Sequence, residues 1–291
     1  MSEIPIHPLR TIFPHISDQD IPAFIPGKEP YQLGADSLAQ PGVPAGEVTK
    51  YHWVNECIYP GTERDYWVYV PRQYDGTKPA NLMVFQDGAL FLGPDVNAPL
   101  VFDNLIHKGE MPVTIGLFVN PGSKGPGLPI YGGSDNRSSE YDALGDLYVR
   151  FLLKELLPEV QKNLNITTDP AGCAICGISS GAICAFNAAW ERPDCFSKVV
   201  SFCGSFTDIR GGHNFPSMVR KNERKPLRVF LQSGAHDLNI IFGSWPLANQ
   251  AMDAALAYRG YDYQFVFGEG YHSIKHGGSI FPDTLRWLWR K

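Results

Sequence analysis

The sequence has no run of about 18 apolar residues, the shortest stretch that reads as a membrane-spanning helix. Its start, Met1 to Gln32, also lacks the basic residues and apolar stretch of a secretory signal peptide. We therefore expect no membrane partner and, by default, a cytoplasmic location. A secreted protein in its mature form would show the same two absences, so the sequence leaves that alternative open.

Charge is scarce as well, since only 19% of the residues are charged and the formal net charge is -5. A nucleic-acid-binding protein usually presents a basic face. Here the one dense basic cluster, at 220–228, includes Asn222, Glu223 and Pro226, which indicate a solvated loop. We predict no nucleic-acid partner. Hydrophobic residues make up 44% of the chain, enough for a large core, so disorder is not expected over most of it.

The sequence also lacks a second cysteine pair to complement Cys173 and Cys176, which have the C-x-x-C spacing of zinc and redox sites. Residues three apart on a strand face opposite sides, so these two thiols should not meet. Five of the six cysteines lie in or beside apolar runs and are predicted to be buried thiols. No histidine pair or carboxylate cluster has metal-ligand spacing, so we predict no metal site.

Two parts of the chain differ in composition. Residues 1–47 contain eight prolines, which interrupt regular structure, and this segment is predicted to be an irregular arm. Its aromatic residues Phe13, Phe24 and Tyr31 indicate that it packs on the main domain. Residues 48–291 form the predicted catalytic domain.

Short apolar runs alternate with helical patterns through the second part of the chain. This alternation predicts an α/β fold with a mostly parallel central sheet and helices on both faces. Helices are predicted over 141–163, interrupted at Pro158, and over 281–289. Ligands of such sheets bind at the carboxyl ends of the strands.

A G-x-S-x-G motif, Gly177-Ile178-Ser179-Ser180-Gly181, follows a predicted strand and precedes an Ala-rich predicted helix. That context separates a nucleophile elbow from chance matches to a short pattern. The two glycines remove Cβ atoms that would clash in a sharp turn, and the serine is exposed at the N-terminus of a helix, whose dipole favours negative charge. The motif predicts that Ser179 is a nucleophile; a tight turn with a surface serine is the alternative.

A serine nucleophile needs a base, and the expected order in this context is serine, then acid, then histidine. Asp237 and His272 each follow the end of a late predicted strand, at the sheet edge where Ser179 must also lie. We predict that His272 transfers the proton and that Asp237 orients the imidazole and stabilises its cation.

Other titratable residues near these strand ends could take the same roles. His276 is the alternative base, although it lies further from the strand end than His272. Glu269 is too close in sequence to His272 to reach it easily, and Asp208 follows an earlier strand. His236 precedes the predicted acid, which is the wrong order.

Two backbone N–H groups should form an oxyanion hole. One is the amide of Ser180, the residue after the nucleophile. The other is expected in the loop that begins Asp87-Gly88-Ala89, where the glycine permits close backbone approach and the Ala89 amide is favoured. A plain Asp-Gly turn is the alternative.

Several segments carry a resemblance to a known family: QDG at 86–88, GISSG at 177–181, GAHD at 234–237, GYHS at 270–273, NRSSEYD at 136–142 and WLW at 287–289. Together they resemble the putative esterase family, which includes enterochelin, feruloyl and acetylxylan esterases and S-formylglutathione hydrolases. The similarity covers about 51–291. It implies an α/β-hydrolase fold, a Ser-His-Asp/Glu triad on Ser179, His272 and Asp237, and no cofactor. Tyr271 departs from the family pattern, in which a second glycine commonly precedes the histidine. Its larger side chain is expected to narrow the substrate-binding site.

Some side chains near the predicted strand ends are candidates for substrate contact. Arg137 follows a Gly-rich loop and either organises a substrate-contact loop or belongs to a buried ion-pair network, which we favour. The remaining candidates could line an acyl or aromatic pocket: Phe91, Leu92, Phe242, Trp245 and Tyr271.

The sequence as a whole predicts a serine carboxylic-ester hydrolase that forms an acyl-enzyme and takes a small-molecule or oligosaccharide ester. The aromatic residues and the resemblance to feruloyl esterases favour aryl (feruloyl-type) or acetyl esters of plant polysaccharides. Alternatives are an acyltransferase or peptidase with the same triad, or a non-catalytic binding protein on a hydrolase fold. The intact triad opposes the last alternative. The oligomeric state stays open, a homodimer included.

Overall fold

The computed structural model describes residues 29–125 and 136–291. Eight strands in them form one sheet: β1 Glu47–Val54, β2 Glu63–Val70, β3 Asn81–Gln86, β4 Thr114–Val119, β5 Cys173–Ile178, β6 Lys198–Phe202, β7 Arg228–His236 and β10 Asp262–Tyr271. Their order across the sheet is β1-β2-β4-β3-β5-β6-β7-β10. The short strands β8 Asn239–Ile240 and β9 Gly243–Ser244 form a separate antiparallel hairpin.

The sheet is mostly parallel, as the alternating pattern predicted. The successive pairings from β4 through β3, β5, β6 and β7 to β10 are parallel, and in this sheet only the pairings of β1 with β2 and of β2 with β4 are antiparallel. Every residue of β4 and of β5 is buried. Strands covered on both faces need apolar side chains on both, so their sequences are continuous rather than alternating apolar runs.

Helices cover both faces of this sheet, which confirms the predicted α/β class. The helices are α1 Gly88–Leu92, α2 Ala98–Lys108, α3 Arg137–Tyr141, α4 Leu147–Phe151, α5 Leu157–Gln161, α6 Ser180–Glu191, α7 Phe215–Lys221, α8 Trp245–Arg259 and α9 Lys275–Trp289. One core contains Met83 and Phe85 of β3 with side chains of α1, α2 and α9. The other core contains Leu82 and Val84 of β3 with side chains of α4 to α8. None of the helices in 29–125 and 136–291 is long and apolar enough to cross a membrane.

Two predicted helices differ from those observed. The helix predicted over 141–163 is interrupted before Pro158, because the π-helical stretch Leu152–Leu156 joins α4 to α5 and the proline lies in the first turn of α5. A proline fits there because its missing N–H has no partner in a first turn anyway. The last helix begins at Lys275 rather than at 281. The sequence did not indicate this earlier start, because glycines near the beginning of the helix are poor helix formers. Gly278 is required there, because a Cβ would lie 1.9 Å from the Asp95 carbonyl oxygen.

Four of the six cysteines are buried, one fewer than predicted, because Cys195 is half-buried and Cys57 is exposed. All six are free thiols. Cys173 belongs to one core and Cys176 to the other, so the C-x-x-C pair is divided between the two faces of β5.

The basic cluster at 220–228 is not simply the solvated loop that the sequence indicated. Its first two residues end α7. Lys225 Nζ donates to the carbonyl of Trp190 at 2.6 Å, near the end of α6. Arg228 donates to the carbonyl of Leu288 at 2.9 Å, near the end of α9. A cation at a helix C-terminus offsets the partial negative charge of the last carbonyls. The cluster therefore holds helix ends to the sheet.

The described part of the N-terminal arm, residues 29–46, lies on α2 and α9. The Asp36 carboxylate pairs with Arg286 of α9 at 2.6 Å, and hydrogen bonds from this arginine and from a lysine of α2 lower the pKa of Asp36. Phe13 and Phe24, on which part of the packing prediction rested, lie outside the described residues.

A buried ion pair joins the sheet to the segment that precedes α4. The Arg64 guanidinium of β2 donates to both carboxylate oxygens of Glu140 in α3, at 2.7 and 3.0 Å, and both side chains are fully buried. Asn136 Nδ2 donates to the same carboxylate at 2.7 Å. This pair is part of the ion-pair network that the sequence favoured for this segment.

We predict that Glu140→Ala lowers the free energy of unfolding by about 3–5 kcal/mol, because it leaves the Arg64 charge buried without a counter-ion. Glu159→Ala is the matched control: its partner Lys162 is largely exposed, and exposed pairs contribute about 0–1 kcal/mol. Urea denaturation of both variants measures the difference. Equal losses would show that the buried pair has no special weight.

Candidate active site

The nucleophile turn lies between β5 and α6. Ser179 has φ 58° and ψ −122°, a region that L-residues rarely occupy. Its amide donates to the Phe202 carbonyl of β6 at 2.9 Å, which fixes the turn against the neighbouring strand. A Cβ at Gly177 would lie 2.2 Å from the carbonyl carbon and oxygen of Gly181. The strand-turn-helix context that the motif required is therefore present, and it needs both glycines.

Ser179, His272 and Asp237 form one hydrogen-bonded chain. His272 Nε2 lies 2.9 Å from Ser179 Oγ, and His272 Nδ1 lies 2.6 Å from Asp237 Oδ1. The Asp237 side chain is fully buried, and the Leu238 amide donates to the same oxygen at 2.7 Å. A carboxylate only accepts, so Nδ1 carries the proton and Nε2 is free to accept one from the serine.

The alternative acids and bases lie elsewhere. His276 is buried in α9, where its ring stacks on Tyr31 at 4.0 Å and its Nδ1 accepts from Gln232 Nε2 at 3.0 Å. Burial lowers the pKa of His276, because the charged ring is disfavoured away from water. Glu269 and Asp208 form exposed pairs with other histidines, at 3.3 and 2.9 Å.

A residue that the sequence did not single out joins the triad. The Ser205 hydroxyl lies 3.2 Å from Ser179 Oγ, and Trp245 Nε1 donates to it at 3.1 Å. The Trp245 ring also meets the His272 ring edge-on, with centroids 5.7 Å apart. Ser205 belongs to no motif. However, it closely follows β6, the strand beside β5, so the same strand-end reasoning that located Asp237 would have included it.

The two predicted oxyanion donors differ in whether their N–H groups already have a hydrogen-bond acceptor. The Ser180 amide lies in the first turn of α6, where N–H groups have no partner within the helix. The Ala89 amide donates to Asn120 Oδ1 at 3.0 Å. An oxyanion could use the Ala89 amide only after the Asn120 side chain turned away, whereas the Ser180 amide needs no such change.

Arg137 ties the loop after β3 to the nucleophile turn. Its guanidinium donates to both oxygens of the buried Asp87 carboxylate, at 2.9 and 2.7 Å. A Cβ at Gly181 would lie 2.7 Å from that same carboxylate, so Asp87 lies against the first turn of α6. Arg137 thus takes part in a buried ion pair, the role that the sequence favoured over substrate contact. Residues 126–135 of the preceding Gly-rich loop lie outside the described residues.

The prediction that Phe91 contacts substrate is wrong. Phe91 is fully buried, and its ring lies against Phe85, Phe202 and Phe281. Phe91 therefore belongs to the core rather than to a wall that substrate reaches, because α1 turns its ring towards the sheet. Leu92 is half-buried and packs against the same core.

The other three aromatic candidates lie in the segments that follow Asp237 or directly precede His272. Trp245 contacts both Ser205 and His272 and is 2% exposed. Phe242 is half-buried and packs on the small cluster around the β8–β9 hairpin. Tyr271 stacks on His236 with ring centroids 5.1 Å apart.

The arm contacts the loop that carries His272. Glu29 Oε1 accepts from the Tyr271 amide at 3.3 Å and from Ser273 Oγ at 2.7 Å. These are the residues on either side of His272. The Tyr31 hydroxyl accepts from the Glu269 amide at 3.0 Å. The arm therefore holds this loop from outside the sheet.

Cys203, Asp237 and His272 are metal-ligand types whose donor atoms lie within 4.8 Å of one another, the one such group among the described residues. A metal ion does not fit them. Burial and the neighbouring Asp237 charge raise the pKa of the Cys203 thiol well above its usual range, whereas a metal binds the thiolate. The hydrogen bond between Asp237 and His272 also occupies the donors that an ion would need.

A family model matches most of this chain. The family model described as "Putative esterase" matches residues 59–285, which include all three triad residues. Iron(III) enterobactin esterase of Dickeya dadantii (strain 3937) is 25% identical over 262 residues, which is 84% of this chain and 55% of that protein. The chain spans about half the length of the curated relatives that it matches.

Solved structures show the same fold. The enterobactin esterase from Shigella flexneri in the presence of enterobactin has a TM-score of 0.67 at 20% identity, covering 84% of this chain and 60% of that one. The ferulic acid esterase of Anaeromyces mucronatus in complex with ferulic acid has a TM-score of 0.66 at 16% identity, covering 91% and 96%. These likenesses confirm the predicted α/β-hydrolase fold.

We predict that His276→Gln flattens the acid side of the stability profile. The folded-state pKa of His276 is lowered by burial, so the unfolded chain binds a proton more readily, and stability falls as pH drops below about 6.5. Thermal unfolding between pH 7.5 and 5 should show a smaller decline for the variant than for the wild type. Parallel curves would mean that His276 is not held neutral.

We also predict that Glu29→Ala lowers kcat/KM for an ester by about 10-fold, because a small displacement of a catalytic group is costly. Lys50→Ala is a suitable control, since Lys50 pairs with Asp65 at the far edge of the sheet. Both variants should keep their fold by circular dichroism. Equal activity of Glu29→Ala and wild type would show that the arm does not position the histidine loop.

Proposed function

Because the chain belongs to the putative esterase family, we propose that it hydrolyses carboxylic esters through an acyl-enzyme on Ser179. The observation that carries this proposal is the hydrogen-bonded chain from Ser179 through His272 to Asp237, with separations of 2.9 and 2.6 Å. Serine, imidazole and carboxylate in this order are the groups that acyl transfer needs.

In the first half-reaction, His272 Nε2 takes the proton of Ser179 Oγ while that oxygen attacks the ester carbonyl. The negative charge that develops on the carbonyl oxygen is stabilised by the Ser180 amide and the positive end of α6. His272 then gives its proton to the departing alcohol, and the acyl group stays on Ser179. The buried Asp237 carboxylate stabilises the imidazolium that exists between these two transfers.

In the second half-reaction, water replaces the alcohol. His272 takes a proton from the attacking water, and the tetrahedral intermediate again places its charge beside the Ser180 amide. The intermediate breaks at the bond to Ser179 Oγ, which recovers its proton from His272. The carboxylic acid leaves and the triad returns to its starting state.

The proposed substrate is an ester whose acyl part carries an aromatic ring, either on a small molecule or on an oligosaccharide. Support comes from Phe242 and Tyr271, two half-buried aromatic residues on the segments that carry Asp237 and His272, and from the similar structures solved with enterobactin and with ferulic acid. Acetyl esters are the alternative. Ethyl ferulate and ethyl acetate share the alcohol part, so their kcat/KM values compare the acyl parts directly. A higher value for ethyl acetate would contradict the aryl preference.

We predict that Ser179→Ala loses on the order of 10⁴ or more in kcat for p-nitrophenyl acetate, and that Asp237→Asn loses about 10³–10⁴, because the imidazole then takes the wrong tautomer. His272→Ala should fall to the level of Ser179→Ala, whereas the control His107→Ala, an exposed histidine on α2, should keep wild-type activity. Wild-type rates in Ser179→Ala would contradict the proposed mechanism.

A further inference from the structure

Ser205 is buried beside Ser179, and hydrogen bonds hold the turn that carries it. It is 1% exposed, and its amide donates to the Ser179 carbonyl at 3.2 Å. The turn that carries it begins at Cys203, whose φ is +48°. Asn249 Nδ2 of α8 donates to the Gly204 carbonyl at 2.9 Å and so fixes the turn from the other side.

The direction of each hydrogen bond follows from the chemistry of the groups. An indole N–H can only donate, so Trp245 Nε1 donates to Ser205 Oγ. The Ser179 hydroxyl must donate to His272 Nε2 if histidine is the base. The Ser205 hydrogen is then directed to the oxygen of Ser179, 3.2 Å away.

We propose that Ser205 is a further catalytic residue, which donates a hydrogen bond to Ser179 Oγ while that oxygen gains or loses its bond to the acyl group. This proposal rests on the serine mechanism proposed above. Trp245 is the positioning residue, because its N–H occupies a lone pair of the Ser205 oxygen while Ser179 Oγ lies within hydrogen-bonding distance of the Ser205 hydroxyl.

The donated bond acts in both half-reactions. During attack on the ester, one lone pair of Ser179 Oγ accepts from Ser205 and another forms the bond to the carbonyl carbon, while the proton passes to His272. During breakdown of the second intermediate, the bond between the acyl carbon and Ser179 Oγ breaks and its electron pair stays on oxygen. Ser205 stabilises that charge until His272 returns the proton. Ser205 keeps its own proton throughout.

The second half-reaction should depend on Ser205 more than the first when the alcohol is an activated phenol. With p-nitrophenyl acetate the leaving phenolate is stable, whereas deacylation must expel a serine alkoxide, which is far more basic. The loss of one hydrogen bond to a developing charge should therefore appear mainly as slower deacylation.

The test is stopped-flow hydrolysis of p-nitrophenyl acetate by the wild type and by Ser205→Ala and Ser205→Cys. Alanine removes the donor, and cysteine fills the space with a much weaker one. We expect both variants to deacylate about 10-fold or more slowly, in the range that a hydrogen bond to a charged group gives, and to retain a burst of p-nitrophenol. Ser233→Ala is the control, because Ser233 is an equally buried serine on β7; it should match the wild type.

Trp245→Phe provides a second route if either Ser205 variant unfolds. Phenylalanine keeps an aromatic ring and removes the N–H, so the Ser205 hydrogen can turn away and deacylation should again slow by several-fold. If Ser179→Ala is inactive, deacylation at the wild-type rate in both folded Ser205 variants overturns the role of Ser205 and leaves the serine mechanism intact. If the Ser205 variants do not fold, deacylation at the wild-type rate in Trp245→Phe has the same meaning. Activity in Ser179→Ala overturns this role and the serine mechanism together.

Discussion

The sharp turn at Ser179 is the constraint to which the rest of the site is fitted. A φ of 58° costs an L-residue about 1–3 kcal/mol, and the surroundings hold it there. Strand β5 is buried along its whole length and α6 is buried in all but its last residue. The amide of Ser179 is bonded to β6 and its carbonyl to the amide of Ser205. Because the turn is held from both sides, the direction of the Ser179 Cα–Cβ bond is fixed, and residues that follow β6, β7 and β10 lie around this side chain.

The charges of the site are paired before any substrate arrives. Asp237 is bonded to His272, and Asp87, beneath the first turn of α6, is bonded to Arg137. A buried carboxylate without a partner would be costly, so each pair also fixes the loop that carries it. Preorganised groups of this kind need little rearrangement during reaction, which is the main source of electrostatic stabilisation in enzymes. Trp245 and Ser205 extend this arrangement, because Trp245 Nε1 donates to Ser205 Oγ, which lies 3.2 Å from Ser179 Oγ.

Much of this arrangement could be predicted from the sequence because it is local. The two glycines around Ser179 indicate a sharp turn. Asp237 and His272 directly follow apolar strands, so the carboxyl edge of a parallel sheet brings them together. Other features depend on contacts between distant segments. Phe91 follows a strand end like the triad residues, yet α1 turns its ring into the core. Glu29 meets the histidine loop across more than two hundred residues of chain, and nothing in its local sequence indicates this. The Ala89 amide matches the motif, but its bond to Asn120 depends on the end of β4.

The central claim is that an acyl group resides on Ser179 during turnover. Rapid acid quench of the protein with p-nitrophenyl acetate, followed by intact-mass and peptide mass spectrometry, tests it directly. If Ser179 is the nucleophile, one acetyl group is bound per chain, it lies on the peptide containing Ser179, and it is absent from Ser179→Ala. An acetyl group on another residue would contradict this claim. So would a burst of p-nitrophenol from the wild type with no covalent species at any quench time.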